Sequence, residues 1–175
     1  AVTGSKGKLI EAKNIFHRYL FEEKYNEIGH YNFANTLRSL GDLEEAVKQY
    51  KLCLRINPNN AQAWKNLGSI YYDLHNHEEE IVCYDKALTI NPNLPQALFS
   101  MGVTLSHIYK KHAEGLSLML KSKGYEEEMM NGFPIGYFWI AYTYEKLGKI
   151  DESLYHINKG ISIDSENLFM LDFKT

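Results

Sequence analysis

The chain has 175 residues, of which 45% are hydrophobic and 23% are charged, and its formal net charge is −3. This length suits one domain or one short repeat array and is enough to bury a core. The balanced charge argues against nonspecific electrostatic binding to nucleic acid or to an anionic membrane. The two cysteines, Cys53 and Cys83, do not make a disulfide framework. No apolar run approaches the roughly 18 residues of a membrane span.

The first residues, Ala1–Gly7, contain no apolar core of a signal peptide, so we expect a cytoplasmic location. Because the sequence does not begin with Met, we expect a processed product or an excised piece. Further on, Leu9, Ala12, Phe16 and Tyr19 follow one another at helical spacing. This spacing predicts an N-terminal helix.

A period of 34 residues organises the rest of the chain. The segment that begins at Asn57-Pro58 recurs at Asn91-Pro92, and the small residues Ala34, Gly68 and Gly102 are separated by the same interval. A further copy follows after an insertion, which we place within residues 121–133. The chain is therefore predicted to be an array of similar units.

Each period predicts two antiparallel helices joined by a tight turn. Trp64, Leu67, Gly68 and Tyr71 are three or four residues apart, which places them on one face of a helix. In the turn Gly41-Asp42, the glycine can end a helix in the left-handed conformation and the aspartate can cap the next one. Prolines after such helices stop them, because the residue before proline is pushed out of helical geometry.

This pattern resembles the tetratricopeptide repeat, or TPR. In the copy at 61–94 the matching residues are Trp64, Leu67-Gly68, Tyr71, Tyr84, Ala87 and Pro92. We divide the chain into an N-terminal helix at 1–26 that resembles the second helix of an incomplete repeat, repeats at 27–60, 61–94, 95–133 (divergent, with the insertion) and 134–167, and a C-terminal partial or capping helix at 168–175.

The resemblance implies an all-α fold, a right-handed superhelical solenoid of about nine or ten helices. It also implies that first helices line a concave groove, that second helices cover the outside, and that the groove binds a partner without catalysis. We expect no cofactor, no bound metal, and no nucleic-acid or membrane partner.

The groove is predicted from the face of each first helix that adjoins its core face. The residues change from amides at the N-terminal end to aromatic side chains at the C-terminal end, which suits an extended peptide. The opposing interpretation is that the aromatic side chains pack on neighbouring helices and that the amides are merely solvated. The predicted peptide-binding residues are Tyr31, Asn32, Asn35, Lys65, Asn66, Ser69, Tyr72, Phe99, Phe138, Trp139 and Tyr142.

A subset of the family clamps the C-terminal carboxylate of chaperones with Lys, Asn and Arg side chains. Here Asn35 and Asn66 fit the amide positions, but Tyr31, Gln96 and Ser100 stand at the cationic positions. Without positive charge a carboxylate would not be held strongly. We therefore reject binding to chaperone tails.

The turn His75-Asn76-His77 suggests a metal site with Cys83, but structural or solvated residues are the better interpretation. Glu80 stands where the preceding copy has the small residue Ala46. A buried unpaired carboxylate is costly, so we expect Glu80 to tilt outward or to find a donor. A loosened turn around His75–His77 is the favoured interpretation.

Our leading hypothesis is a non-catalytic module that holds a peptide segment of a partner protein in the groove. The alternative is a self-assembling scaffold, or the recognition arm of a larger enzyme such as a TPR-containing glycosyltransferase. Its basis is that both ends resemble interrupted repeats, which would expose apolar faces and favour a homo-oligomer.

Overall fold

The fold is entirely helical in the part of the chain that the structure describes. A computed structural model describes residues 2–122 and 135–163. The helices are α1 (Val2–Glu22), α2 (Glu27–Leu40), α3 (Leu43–Ile56), α4 (Ala61–Asp73), α5 (His77–Ile90), α6 (Pro95–His107), α7 (His112–Lys121), α8 (Ile135–Lys146) and α9 (Ile150–Ile163). No strand occurs in those two ranges, and none of their helices is both long and apolar enough to cross a membrane.

The helices pack as sequential pairs in two compact units, residues 1–92 and residues 93–175. In the N-terminal unit, α2 packs with α3 and α4 with α5. In the C-terminal unit, α6 packs with α7 and α8 with α9. The predicted all-α array of antiparallel helix pairs is confirmed. The insertion, Pro134 and the predicted C-terminal helix at 168–175 lie outside the described residues, apart from the first two positions of the insertion.

Asparagine side chains begin three of the helices. The side-chain oxygen of Asn26 accepts a hydrogen bond from the Gly29 amide at 2.7 Å, and Asn60 and Asn76 do the same for α4 and α5. Each satisfies an amide that the first helical turn leaves without a partner. Asp42 also stands at a helix start, but its carboxylate makes no cap hydrogen bond. The expected N-cap position of Asp42 is thus found. Its carboxylate is held chiefly by Lys13, and the backbone N–H of Glu45 also helps to lower the pKa of Asp42.

Four turns between paired helices place one residue in the left-handed conformation. Gly41 (φ 81°) and Gly148 (φ 73°) do so as expected for a helix-ending glycine. His75 and Lys110, both at φ 57°, occupy the corresponding points of the other two turns. The backbone of the second turn is closed like that of the first, since His75 N–H bonds Tyr72 O at 3.0 Å and Gly41 N–H bonds Arg38 O at 3.0 Å.

Glu80 points into the core of the α4–α5 pair. The side chain is fully buried, and its Oε2 lies 2.8 Å from His77 Nδ1. The expectation that Glu80 would find a donor, if it did not tilt outward, is confirmed. The favoured alternative, a loosened turn, was wrong because the turn keeps its hydrogen bonds and the histidine supplies the partner.

The divergent pair α6–α7 is held by a contact between backbones. A Cβ atom on Gly115 would lie 2.5 Å from Gly102 O, and one on Gly102 would lie 2.7 Å from Gly115 O. Only residues without a side chain allow this approach. The contact builds the core of the C-terminal unit next to Met119 and Tyr137, both buried.

Helix α1 covers the exposed side of α2. Phe16 stacks on Phe33 with ring centroids 5.8 Å apart, and Leu20 is buried in the same core. Lys13 Nζ reaches Asp42 Oδ2 at 2.7 Å. These contacts resemble those of a second helix lying against the first helix of the next pair.

Candidate functional site on the first-helix face

The predicted site residues of the N-terminal unit lie on one surface, where α2 and α4 meet. Asn66, on α4, donates through Nδ2 to Asn35 Oδ1 at 3.1 Å and to Tyr31 Oη at 3.2 Å, both on α2. Tyr50 of α3 donates its hydroxyl to the same Asn35 oxygen. We call these four side chains the amide network.

The amide network is a structural feature of the helix packing. Asn66 is only 6% exposed, and both of its amide hydrogens are engaged within the chain. Burial raises the pKa of Tyr50 to about 12, although the hydrogen bond with Asn66 opposes that shift, so its hydroxyl keeps its proton. Asn35 and Asn66 are thus held in fixed orientations, and Asn32 is the exposed amide of the predicted set.

Beside the amide network lies a pair of cationic side chains. Arg38 of α2 donates from Nη2 to Ser69 Oγ of α4 at 2.9 Å. Lys65 is half-buried one helical turn before Ser69. Burial first, and then the positive charge of Arg38, hold the pKa of the Lys65 ammonium below its ordinary value. Arg38 was not among the predicted site residues. Helical spacing placed it on the inner face of α2, but spacing alone did not indicate its contact with α4.

The predicted aromatic residues of the C-terminal unit form a cluster on α8. Ring centroids are 5.3 Å apart for Phe138 and Trp139, and 5.9 Å apart for Trp139 and Tyr142. His107 of α6 joins them, 5.0 Å from Trp139 and 5.8 Å from Tyr142. We call these four side chains the aromatic cluster. Helical spacing places His107 on the same face of α6 as Phe99, but it was not selected among the predicted site residues.

The aromatic cluster is partly core and partly surface. Phe138, Trp139 and Tyr142 are all of intermediate exposure. Trp139 packs on the core of the unit together with Phe99, and Phe138 packs against Ala141 and Ile157. The two interpretations of these rings are therefore compatible, because each ring buries one side and presents another.

The eleven predicted residues thus fall into two groups, one in each unit. Nine of them make a polar or ring contact, or a packing contact with a core cluster. Lys65 is half-buried near the charge of Arg38, and Asn32 is exposed on α2. Tyr72 is 40% exposed and meets the His77 ring edge-on at 5.8 Å. The structure does not test whether any of the eleven contacts a peptide.

Two clefts of the N-terminal unit lie on the side of the second helices. The larger, about 690 Å³, is lined by α1, α2 and α3 and includes Phe21 and Tyr25. The smaller, about 290 Å³, is lined by α3, α4 and α5 and includes Trp64 and Val82. A partner could bind in these clefts instead of on the first-helix face, so they are the alternative binding surfaces.

The turn His75–His77 does not assemble a metal site with Cys83. Within residues 2–122 and 135–163, no three His, Cys, Asp or Glu side chains are placed to hold an ion together. Burial raises the pKa of the Cys53 and Cys83 thiols to about 12. Both thiols therefore remain protonated and poorly nucleophilic.

Sequential helix pairs in each unit, with a polar or an aromatic face on the first helices, define a helical-repeat scaffold of the kind that mediates protein interactions. Sequence profiles of the TPR repeat match residues 34–75, 61–94 and 136–167. The chain belongs to the tetratricopeptide repeat family.

Known proteins share the fold over nearly the whole chain. A tetratricopeptide repeat protein from Parabacteroides merdae is 21% identical with a TM-score of 0.80, over 97% of this chain and 66% of that one. MamA from Desulfovibrio magneticus is 16% identical with a TM-score of 0.78, over 94% of this chain and 90% of that one. The mouse (Mus musculus) protein O-mannosyl-transferase TMTC1 is 38% identical over 50 residues, which are 29% of this chain and 5% of that protein.

Proposed function

We propose that this chain binds an extended segment of a partner protein on the first-helix face of its repeats and performs no chemistry of its own. The observation that carries the proposal is the aromatic cluster. Aromatic rings that are held rigid on one side and open on the other are the usual anchors of protein interfaces. In the N-terminal unit, the exposed Asn32 and the amide network give the first helices a polar surface.

An extended segment suits these two surfaces better than a folded partner does. The exposed amide of Asn32 can both donate to and accept from a peptide backbone, while aromatic rings hold individual side chains. The amide network is preorganised, so binding beside it would not cost the entropy of ordering those side chains.

The test is selection of peptides and measurement of their affinity. A random library of twelve-residue peptides is selected on the wild-type chain, and the enriched peptides are labelled for fluorescence anisotropy. Peptides held by the aromatic cluster should bind Tyr142→Ala about tenfold more weakly, and peptides held by the polar surface of the N-terminal unit should do the same with Asn32→Ala, since removal of an interface anchor costs more than about 1 kcal/mol. The matched control is Val82→Ala, which changes an exposed residue on α5.

The proposal fails if no peptide is enriched. It also fails if the enriched peptides bind Tyr142→Ala and Asn32→Ala at wild-type affinity and lose affinity for Val82→Ala. That second result would place the interface in the clefts between second helices. Circular dichroism of each variant shows that the fold is intact.

A second candidate function is self-assembly through α1. Ile15 and Tyr19 lie four residues apart on one face of this helix and are 51% and 44% exposed. Exposed apolar residues in a row favour contact with another chain. Light scattering over a concentration series should show association that Ile15→Glu abolishes. A molecular mass that stays monomeric at the highest concentration would contradict this function.

A further inference from the structure

We infer that Arg38 and Lys65 form a binding site for a carboxylate, which selects partner segments that carry an acidic side chain. This inference rests on the proposed function, because it names a feature of the segment bound on the first-helix face. The site is built from α2 and α4 of the N-terminal unit.

The guanidinium of Arg38 is held in place but mostly unused. Its Nη2 donates to Ser69 Oγ at 2.9 Å, which fixes the side chain across the junction of α2 and α4. A guanidinium has five N–H donors, and the others suit the two oxygens of a carboxylate. No carboxylate among the described residues pairs with Arg38.

Lys65 supplies a second positive charge at the same place. It lies four residues before Ser69 on α4, so both side chains leave the same face of the helix. Burial and the charge of Arg38 together oppose the charged form of Lys65. A bound carboxylate would offset both penalties, since an opposite charge nearby favours the ammonium.

Neither member of the pair forms an ion pair within the described residues. Some other lysines do: Lys13 with Asp42 at 2.7 Å, Lys48 with Glu45 at 2.9 Å, and Lys146 with Glu145 at 3.0 Å. The chain as a whole has a net charge of −3, so Arg38 and Lys65 do not lack partners because acids are scarce.

Neutral side chains lie beside the pair. The neighbouring side chains of the amide network are neutral, and Tyr50 keeps its proton. Asp73, which follows Ser69 by one turn on α4, makes no ion pair with either cation. A carboxylate brought by a partner would therefore meet two cations that form no ion pair within the described residues.

An acidic side chain within the partner segment and the carboxylate at its end share this chemistry. We favour the internal side chain, because the site lies midway along α2 and α4, beside other predicted contact residues. The experiment separates the two sources.

The probes are pools of labelled twelve-residue peptides, random in Gly, Ser, Asn, Leu and Tyr, with acetylated and amidated ends. One pool has Glu at a central position, the second has Gln there, and the third has Gln and a free C-terminal carboxylate. Anisotropy is measured with wild type, Arg38→Met, Lys65→Met and the control Lys48→Met. Lys48 is an exposed lysine of α3 that pairs with Glu45.

We expect the Glu pool to bind wild type about tenfold more tightly than the Gln pool, which is a modest gain for a carboxylate bonded to two cations. Arg38→Met and Lys65→Met should each remove most of this preference, and Lys48→Met should keep it. The preference should shrink as salt rises, because exposed charges are screened.

Equal binding of the Glu and Gln pools by wild type would overturn the inference and leave the proposed function standing. Binding of no pool would contradict the proposed function itself. If the third pool binds more tightly than the Glu pool, the site binds the carboxylate at the end of a chain, and the inference of an internal acidic side chain is wrong. A preference for Glu that survives in both Met variants would also overturn the site.

Discussion

The helix pairs α2–α3 and α4–α5 build the same geometry from different residues. Their turns share one pattern of backbone hydrogen bonds, and Tyr50 and Tyr84 are buried at equivalent points 34 residues apart. At other equivalent points the residues differ: Ala34 and Gly68, Gly41 and His75, Asp42 and Asn76, Leu43 and His77, Ala46 and Glu80.

The differences compensate one another within each pair. Glu80 is tolerated in the core because His77 stands one turn before it, where the first pair has Leu43. Gly68 leaves space for the Tyr84 ring, whereas Ala34 keeps its methyl group in the first pair. The repeat therefore fixes the spacing of its packing positions more strongly than the residue type at each position. Substitutions that copy a residue from one pair into the other test this conclusion.

The largest effect is expected for Ala46→Glu. Ala46 is fully buried, and Leu43 cannot offer its new neighbour a hydrogen bond, so an unpaired carboxylate would enter the core. The free energy of unfolding should fall by more than about 3 kcal/mol. Urea denaturation measures it.

The double variant Leu43→His/Ala46→Glu transplants the arrangement of the second pair. It should be more stable than Ala46→Glu alone, since the histidine restores a partner. A double variant no more stable than the single one would show that His77 does not account for the tolerance of Glu80.

A smaller effect is expected for Gly68→Ala, which makes the second pair resemble the first. The added Cβ would lie 2.9 Å from Tyr84 Cε1, so the ring or the helix must shift. Overpacking of this kind costs about 1–3 kcal/mol. The matched control is Gly7→Ala in α1, where a Cβ meets nothing within 4 Å and stability should not fall. Equal effects of the two substitutions would contradict the close approach.

A still smaller effect, in the opposite direction, is expected for His75→Gly. The left-handed conformation of His75 strains an L-residue and suits glycine, as at Gly41. The variant should gain up to about 1 kcal/mol, and Gly41→His should lose a similar amount. Thermal and urea unfolding of both variants measure the pair of changes, and a loss of stability in His75→Gly would refute the argument.

The smallest effect is expected for Lys13→Met. Its ion pair with Asp42 is half-exposed, so its contribution is about 0.2–1 kcal/mol at neutral pH. The hydrogen bond from Lys13 is the chief cause that holds the pKa of Asp42 below its ordinary value.

The contribution of the Lys13–Asp42 pair should depend on pH in one direction. Because the folded pKa of Asp42 is lowered, its stabilisation is present above the pKa of the unfolded chain and is lost as the pH falls through the folded pKa. The stability difference between wild type and Lys13→Met should therefore vanish in acid. Asp42→Asn, which copies Asn76, is the control and should lack this pH dependence. A difference that persists in acid would contradict the pairing.

The sequence predicted the helix pairs because their signals are local and repeated. The spacing of Leu67, Gly68 and Tyr71 requires a helix with one apolar face, and Gly41 marks its end. Asp42 was likewise placed at the start of α3, but no local signal indicated that Lys13, 29 residues away, binds its carboxylate.

The candidate site was predicted as two sets of residues but not as contacts. Helical periodicity assigned Asn35 and Asn66 to one surface, yet their mutual hydrogen bond depends on how closely α2 and α4 approach. The same holds for Arg38 and Ser69, and for the edge-on packing of His107 on Trp139. These contacts join residues 31 or 32 positions apart, and no local pattern encodes their distances.

The sequence alone determined that this protein is an array of TPR helix pairs, because a repeat fixes its own secondary structure and core through spacing. Tertiary structure decided which polar side chains are used internally and which remain open to a partner. It paired Glu80 with His77 and Lys13 with Asp42, and within the described residues it left Arg38 and Lys65 without an ion pair. The physical reason is that electrostatic and hydrogen-bond energies depend on distances of a few ångström across helices, which spacing along one helix does not set.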